Sequence, residues 1–165
     1  SDVLPWLEHI QVDEPLSSRI TDETLLRVAS MAEEGRVRTL ALMNCSKVSD
    51  DGLLRVTESN PFITKLHLPG CYSLTSDGII RAVKTIAEKS SSLESLQIRG
   101  IPSIKKQHLE TISDYVRTNP EEGAPSRRPI DVEVCPKCGE VRMVLDCTRE
   151  ACAKQQHQPI AAACR

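Results

Sequence analysis

The apolar positions of this chain come as pairs of patterns. A short run alternates apolar and polar residues, and a longer run then spaces its apolar residues three and four apart. Alternation marks a half-buried strand, and the three-four spacing marks an amphipathic helix. The pair recurs. VRTLALMNCSKVSDDGLLRV (37–56) aligns with ITKLHLPGCYSLTSDGIIRAV (63–83) at a constant offset of 26 residues. That offset equates Leu40 with Leu66, Leu42 with Leu68, Cys45 with Cys71, Val48 with Leu74 and Gly52 with Gly78. A third copy, LESLQIRGIPSIKKQHLETI (93–112), places Leu96, Ile98, Ile101 and Ile104 in the same roles, at an offset of 30. A degenerate first copy, LEHIQVDEPLSSRITDETLLRV (7–28), puts Ile10 and Val12 in the strand and Pro15 at the bend, with two extra residues in the connection.

Self-similarity at this period is the mark of a solenoid, in which each unit buries its apolar face only against its neighbours. We therefore expect an α/β fold of about four units. Strands near 9–12, 38–43, 64–68 and 94–98 form one parallel sheet, and helices near 22–34, 50–59, 76–89 and 104–117 lie on its outer side. Leu40, Leu66 and Leu96 should stack. Cys45 and Cys71 fall where the chain bends off the sheet. A small, apolar thiol with a weak S–H donor suits such a buried turn. Thr21-Asp22, Ser49-Asp50, Ser76-Asp77 and Ser103 precede the helical runs, as N-caps should. Gly35 and Asn60-Pro61 read as stops.

Residues 119–129 break the pattern. EEGAPSRRP within them is rich in Gly, Pro and charge and reads as a linker or loop between a solenoid over 1–118 and a tail over 130–165. In the tail, Ile130, Val132 and Val134 alternate as a strand, expected to be the last one added to the sheet. Cysteines then follow as C-x2-C-x8-C-x4-C at Cys135, Cys138, Cys147 and Cys152. Two thiolates three residues apart can chelate one ion, and Gly139 permits the turn that brings them round. Four thiolates make the closed tetrahedral shell of structural Zn²⁺. The short middle gap and the wide second pair depart from common zinc ribbons, so His157 or Cys164 stands as an alternative to Cys152. Reduced, metal-free thiols and a redox CxxC are the competing readings. The redox form wants its pair at a helix N-terminus, whereas here Pro136 and Gly139 surround it and a strand follows.

The chain is 39% hydrophobic and 27% charged, enough apolar mass for a core made of Leu, Ile and Val. Seven cysteines without a visible secretory signal point to a reducing compartment, which we place in the nucleus or cytoplasm. No apolar run approaches the length of a membrane span. The chain begins Ser1-Asp2 without a Met, which we read as a fragment or processed product. The net charge of −2 argues against a dedicated nucleic-acid binder. Residues 126–165 carry seven Lys or Arg against five Asp or Glu, a mild asymmetry that keeps a zinc-ribbon nucleic-acid binder as the alternative. No Ser-His-Asp set, phosphate-cradling glycine loop or paired acids points to an enzyme.

The outline LxLxxCxxLTDxGL, as in SKVSDDGLLRV and YSLTSDGIIRAV, resembles the cysteine-containing leucine-rich repeats of F-box proteins. With LSSRITDETL, LESLQIRGI and IDVEVCPKCGEVRMVLDC, the whole resembles the plant Skp-interacting F-box proteins that end in a cysteine-rich tail. The resemblance implies a short leucine-rich-repeat solenoid with a small zinc-ribbon-like hairpin at its end. It also implies a non-catalytic, substrate-recognition role in an SCF-type E3 ubiquitin ligase. A Skp-type adaptor and a cullin would bind through an F-box that these residues do not contain. The partner face would be the strand residues between the core leucines: His9 and Gln11, Thr39 and Met43, Lys65 and His67, and Gln97 and Arg99. The plainer reading of that row is a solvated strand face, because it holds no aromatic anchor.

Overall fold

The computed structural model describes residues 3–90, 93–116 and 129–143. Four strand–helix units follow one another: β1 His9–Val12 and α1 Asp22–Ser30, β2 Thr39–Leu42 and α2 Asp50–Ser59, β3 Lys65–His67 and α3 Ser76–Lys89, β4 Ser95–Gln97 and α4 Lys106–Ser113. The strands form one parallel sheet in the order β1-β2-β3-β4. A separate antiparallel hairpin, β5 Val132–Val134 and β6 Val141–Met143, follows. The fold is thus mixed α/β. No helix among the described residues is long and apolar enough to cross a membrane.

The register is the one the sequence offsets require. Ile10 pairs with Leu40, Leu40 with Leu66, and Leu66 with Leu96. Leu40, Leu66 and Leu96 are fully buried, as are Val37, Ile63 and Leu93 at the strand entries. Each such side chain contributes roughly 1.5–3 kcal/mol by leaving water. The helices pack in the same order, and α3 presents Ile79, Ala82, Val83 and Ile86 to the core.

Four features depart from expectation. The N-cap of α4 is Lys105, two residues past Ser103, whose hydroxyl instead accepts from the Ser76 amide (2.9 Å). The bend of the first unit is filled by Ser17, not Pro15. Ser17 is fully buried and its hydroxyl donates to the Met43 carbonyl, while Pro15 is exposed. The two inserted residues push the bend along the chain by two. The N-cap of α3 is Thr75, whose hydroxyl accepts from the Gly78 amide, and Ser76 is the first helical residue. Finally, α1 ends at Ser30 because Ala32 leaves the helix to bridge Leu4 in parallel.

The units are stitched by a repeated polar contact. Asp22, at the first position of α1, accepts from the Ser49 amide (2.8 Å) and the Ser49 hydroxyl in the next unit. Asp50 does the same one unit on, accepting from the Thr75 amide (2.9 Å) and hydroxyl (2.5 Å). Each carboxylate needs the space beside the next helix. A Cβ on Gly52 would overlap Asp22, and one on Gly78 would overlap Asp50. The two glycines therefore have a mechanism: the Asp that opens one helix is received by the Gly in the first turn of the next, Asp22 by Gly52 and Asp50 by Gly78.

Candidate functional site

The parallel register carries the expected partner residues into transverse rows. His9, Thr39, Lys65 and Ser95 are successive Cα partners, and Gln11, Ala41, His67 and Gln97 form the next row. Neighbours in a row stand about 5 Å apart. His9, Gln11, Met43 and Lys65 are exposed, whereas Thr39, His67, Gln97 and Arg99 are half-buried. Pro69, one position beyond β3, is buried.

The β4 end of this face is the most ordered part of it. His67 Nε2 lies 3.0 Å from Ser95 Oγ. Partial burial, reinforced by Lys65 and Arg99, pulls the imidazole below its ordinary value against the opposing pull of Asp131. Arg99 donates to Gln97 (3.2 Å) and to Asp131 (3.3 Å), and Asp131 also accepts from the backbone amides of Ile98 (2.8 Å) and Arg99 (3.2 Å). One carboxylate thus closes the open edge of the sheet and orients the last side chain of the face. The sequence reading missed Asp131. Its signal was a lone acid beside the tail strand, with a partner more than thirty residues away.

The segment that carries Asp131 is not a fifth full strand of the sheet, as expected from its alternation. It makes a single parallel bridge, Leu96 to Ile130, and the Pro129 carbonyl accepts from the Leu96 amide. From Val132 it pairs instead with β6. Across that hairpin Arg142, almost fully buried, donates to Glu133 at 2.6 Å.

The aromatic side chains lie off the face. Trp6 is 72% exposed and Phe62 is 47% exposed. Each stands four residues ahead of its unit's central strand residue, Ile10 and Leu66, on the loops that enter the sheet. Tyr72 is exposed on a loop that leaves it.

The bend thiols are structural. Cys45 and Cys71 are fully buried. Cys71 Sγ donates to the Leu42 carbonyl at 3.1 Å and Cys45 Sγ points to the Met43 carbonyl at 3.7 Å. Burial raises both thiols, Cys71 to about 12. A buried, neutral thiol is a poor nucleophile and a poor metal ligand.

Cys135 and Cys138 stand in the turn of the hairpin. Cys135 is fully buried and Cys138 half-buried. The Gly139 amide donates to the Cys135 carbonyl (2.8 Å), and Gly139 has φ +73°. Cys147 and Cys152, with the alternatives His157 and Cys164, lie outside the described residues. Among the described residues no three metal-ligating side chains converge.

Comparison with known proteins places these features in context. The family described as the At3g27290 F-box protein C-terminal domain matches residues 131–165. F-box protein SKIP28 of Arabidopsis thaliana is 42% identical over 147 residues, which cover 89% of this chain and 47% of that protein. F-box protein SKIP14 of the same plant is 29% identical over 169 residues, covering 92% of this chain and 37% of its own length. F-box protein At3g27290, also from Arabidopsis thaliana, is 29% identical over 167 residues, with 89% of this chain and 43% of that protein covered. The chain spans less than half the length of these curated relatives. Its homologues are F-box proteins of a plant, and the similarity runs through both the four-unit sheet and the hairpin.

Proposed function

We propose that this chain is the substrate-recognition part of an SCF-type E3 ubiquitin ligase. The observation that carries the reading is the similarity to F-box proteins over 89–92% of the chain. In this reading the four units are a short leucine-rich-repeat solenoid. An F-box, in a part of the longer protein that these residues do not include, holds the Skp-type adaptor and through it the cullin. The chain itself makes and breaks no bond. It presents a protein substrate to the rest of the complex, in the nucleus or the cytoplasm.

The sheet face is the surface we assign to the substrate. Its strands are held in register by buried leucines, so the backbone that displays the side chains in rows has little freedom to lose on binding. His9, Thr39 and Lys65 supply one row. Gln11, His67 and Gln97 supply the next, with Met43 and Arg99 at its margin. Hydrogen-bonding groups dominate, and the exposed Lys65 favours a substrate segment with acidic side chains. Affinity capture of the full-length protein from plant cells, followed by mass spectrometry, tests the assignment of class. Recovery of a Skp-type adaptor and a cullin is expected. Their absence from captures in which the bait is intact and abundant would overturn it.

A further inference from the structure

We propose that the open edge of β1 is a docking strand for an extended peptide of another protein, with aliphatic residues at alternate positions and Lys or Arg at both ends. The first argument is the backbone. Among the described residues β1 has a neighbouring strand on one side only. The carbonyls of Glu8 and Val12 accept from amides of the next unit. Alternation along the strand then turns the N–H and C=O of His9 and Gln11 to the open side. Such an edge is a template for a further strand, and proteins that keep it free use Pro, Lys, a bulge or a cover. β1 is HIQV, with neither Pro nor Lys. At the opposite end of the sheet, β4 is covered by the Pro129 carbonyl and the bridge from Leu96 to Ile130. The segment ahead of β1 gives no such cover. Leu4 donates its amide to the Met31 carbonyl and bridges Ala32, which ties it to the chain leaving α1 and not to the edge.

The second argument is the space beside the edge. A cavity of about 250 Å³ lies between β1 and α1, lined by Leu7, Ile10, Val12, Ile20, Leu25 and Val28. That is smaller than the roughly 300–1,000 Å³ of small-molecule sites, so it suits the side chains of an added strand and not a cofactor. Ile10 and Val12 alternate with His9 and Gln11. A strand laid on the edge therefore sets every second side chain beside them, over the cavity.

The third argument decides the occupant. Another unit of the same kind does not fit. Thr24 holds the third position of α1, where Gly52 in α2 and Gly78 in α3 leave room for the Asp of the preceding unit. A second copy of this chain does not fit either. Glu8 stands just ahead of β1, and Asp13 and Glu14 stand just behind it. Two such edges paired antiparallel about a two-fold axis set Glu8 against the acids of the copy at both ends, and opposed like charges destabilise a strand pair. None of the three acids has an ion pair among the described residues. The same acids attract Lys or Arg at both ends of an incoming peptide. Trp6, exposed three residues ahead of β1, offers there the aromatic anchor that the sheet face lacks.

The test uses the full-length protein and a fluorescently labelled synthetic peptide, Lys-Lys-Val-Thr-Val-Thr-Val-Lys-Lys. One control carries Glu in place of every Lys, and another carries Pro in place of the central Val. Fluorescence anisotropy should show saturable binding of the first peptide and binding of both controls weaker by about tenfold or more. Hydrogen exchange at the His9 and Gln11 amides should slow by about tenfold or more on binding, with Leu66 unchanged. Gln11→Pro removes an outward amide and no bond to β2, so it should keep the circular dichroism of the parent and lose the peptide. Glu8→Lys/Asp13→Lys, at two exposed positions, should reverse the preference between the Lys-ended and Glu-ended peptides. No saturable binding, equal affinity for the Lys-ended and Glu-ended peptides, or unchanged exchange at His9 and Gln11 would each overturn the proposal. So would His9 and Gln11 amides already protected in the full-length protein before peptide is added, since its own chain or a second copy would then occupy the edge.

Discussion

Replacing Gly78 by Ala should destabilise the protein, and the same replacement should stabilise it once Asp50 has been removed. Gly78 is the third residue of α3. In a helix, Ala is favoured over Gly by up to about 1 kcal/mol, so on local grounds the change is favourable. The added methyl, however, overlaps the Asp50 carboxylate. That carboxylate accepts from the Thr75 amide and hydroxyl at 2.9 and 2.5 Å. Hydrogen bonds to a charged group contribute about 1.5–3 kcal/mol each when buried. Asp50 is half-buried and Thr75 exposed, so screening by solvent reduces this to about 1 kcal/mol each. Displacing the carboxylate loses about 2 kcal/mol against a gain of about 1, a net loss of about 1 kcal/mol. In an Asp50→Ala background nothing is displaced, and Gly78→Ala should add about 0.5–1 kcal/mol. Urea unfolding of the four members of this cycle measures the coupling. It should be about 2 kcal/mol, with a change of sign between backgrounds. The same sign in both backgrounds, with coupling below about 0.5 kcal/mol, would refute the idea that the Asp of one unit is received by the Gly of the next.

Gly70→Ala should cost at least about 1–2 kcal/mol, because Gly70 has φ +72° and its new methyl would also strike the Asn44 side chain; an unchanged urea midpoint would count against this. Native Cys71 should alkylate at pH 8 at least a thousandfold more slowly than in urea-unfolded chain, since a thiol pushed up to about 12 is almost wholly protonated there; mass mapping of iodoacetamide adducts reads the ratio, and near-equal rates would contradict it. His67 is held below its ordinary value of 6.5, so below that pH the unfolded chain binds more protons than the folded one and stability falls as pH falls. Stability against pH should therefore be flatter in His67→Gln than in the parent below about pH 6.5, and identical slopes would remove the assignment.

The repeat was legible because stacking imposes one register on every unit. Leucines at a constant offset in the sequence become Leu40, Leu66 and Leu96 side by side in the sheet. What escaped were polar residues standing in for apolar ones. Ser17 fills the first bend, but a serine carries no hydrophobic signal and its partner carbonyl lies 26 residues away. Likewise, Thr75 and Ser76 are both plausible caps locally. Thr75 is set apart by its hydroxyl, which accepts from the Gly78 amide and donates to the Asp50 carboxylate of the preceding unit. The tail strand alternates like a sheet strand, yet after one bridge it pairs with its own hairpin, because a local antiparallel partner is close in sequence. Of the partner face, the rows were predictable from alternation. The tying of Arg99 by Asp131 was not, since it joins two segments that no local pattern connects.

The central claim is that a rigid sheet face selects a protein for ubiquitin transfer while another part of the longer protein holds the ligase. Quantitative mass spectrometry of paired captures, full-length parent against full-length Lys65→Glu/Gln97→Glu, addresses both halves in one experiment. Lys65 is exposed and Gln97 half-buried on the face, and neither belongs to the buried core. The account predicts that the adaptor and cullin are recovered equally with both baits, while at least one further protein is lost from the variant by tenfold or more. Equal recovery of every captured protein, or loss of the adaptor and cullin together with the rest from a folded bait, would contradict it.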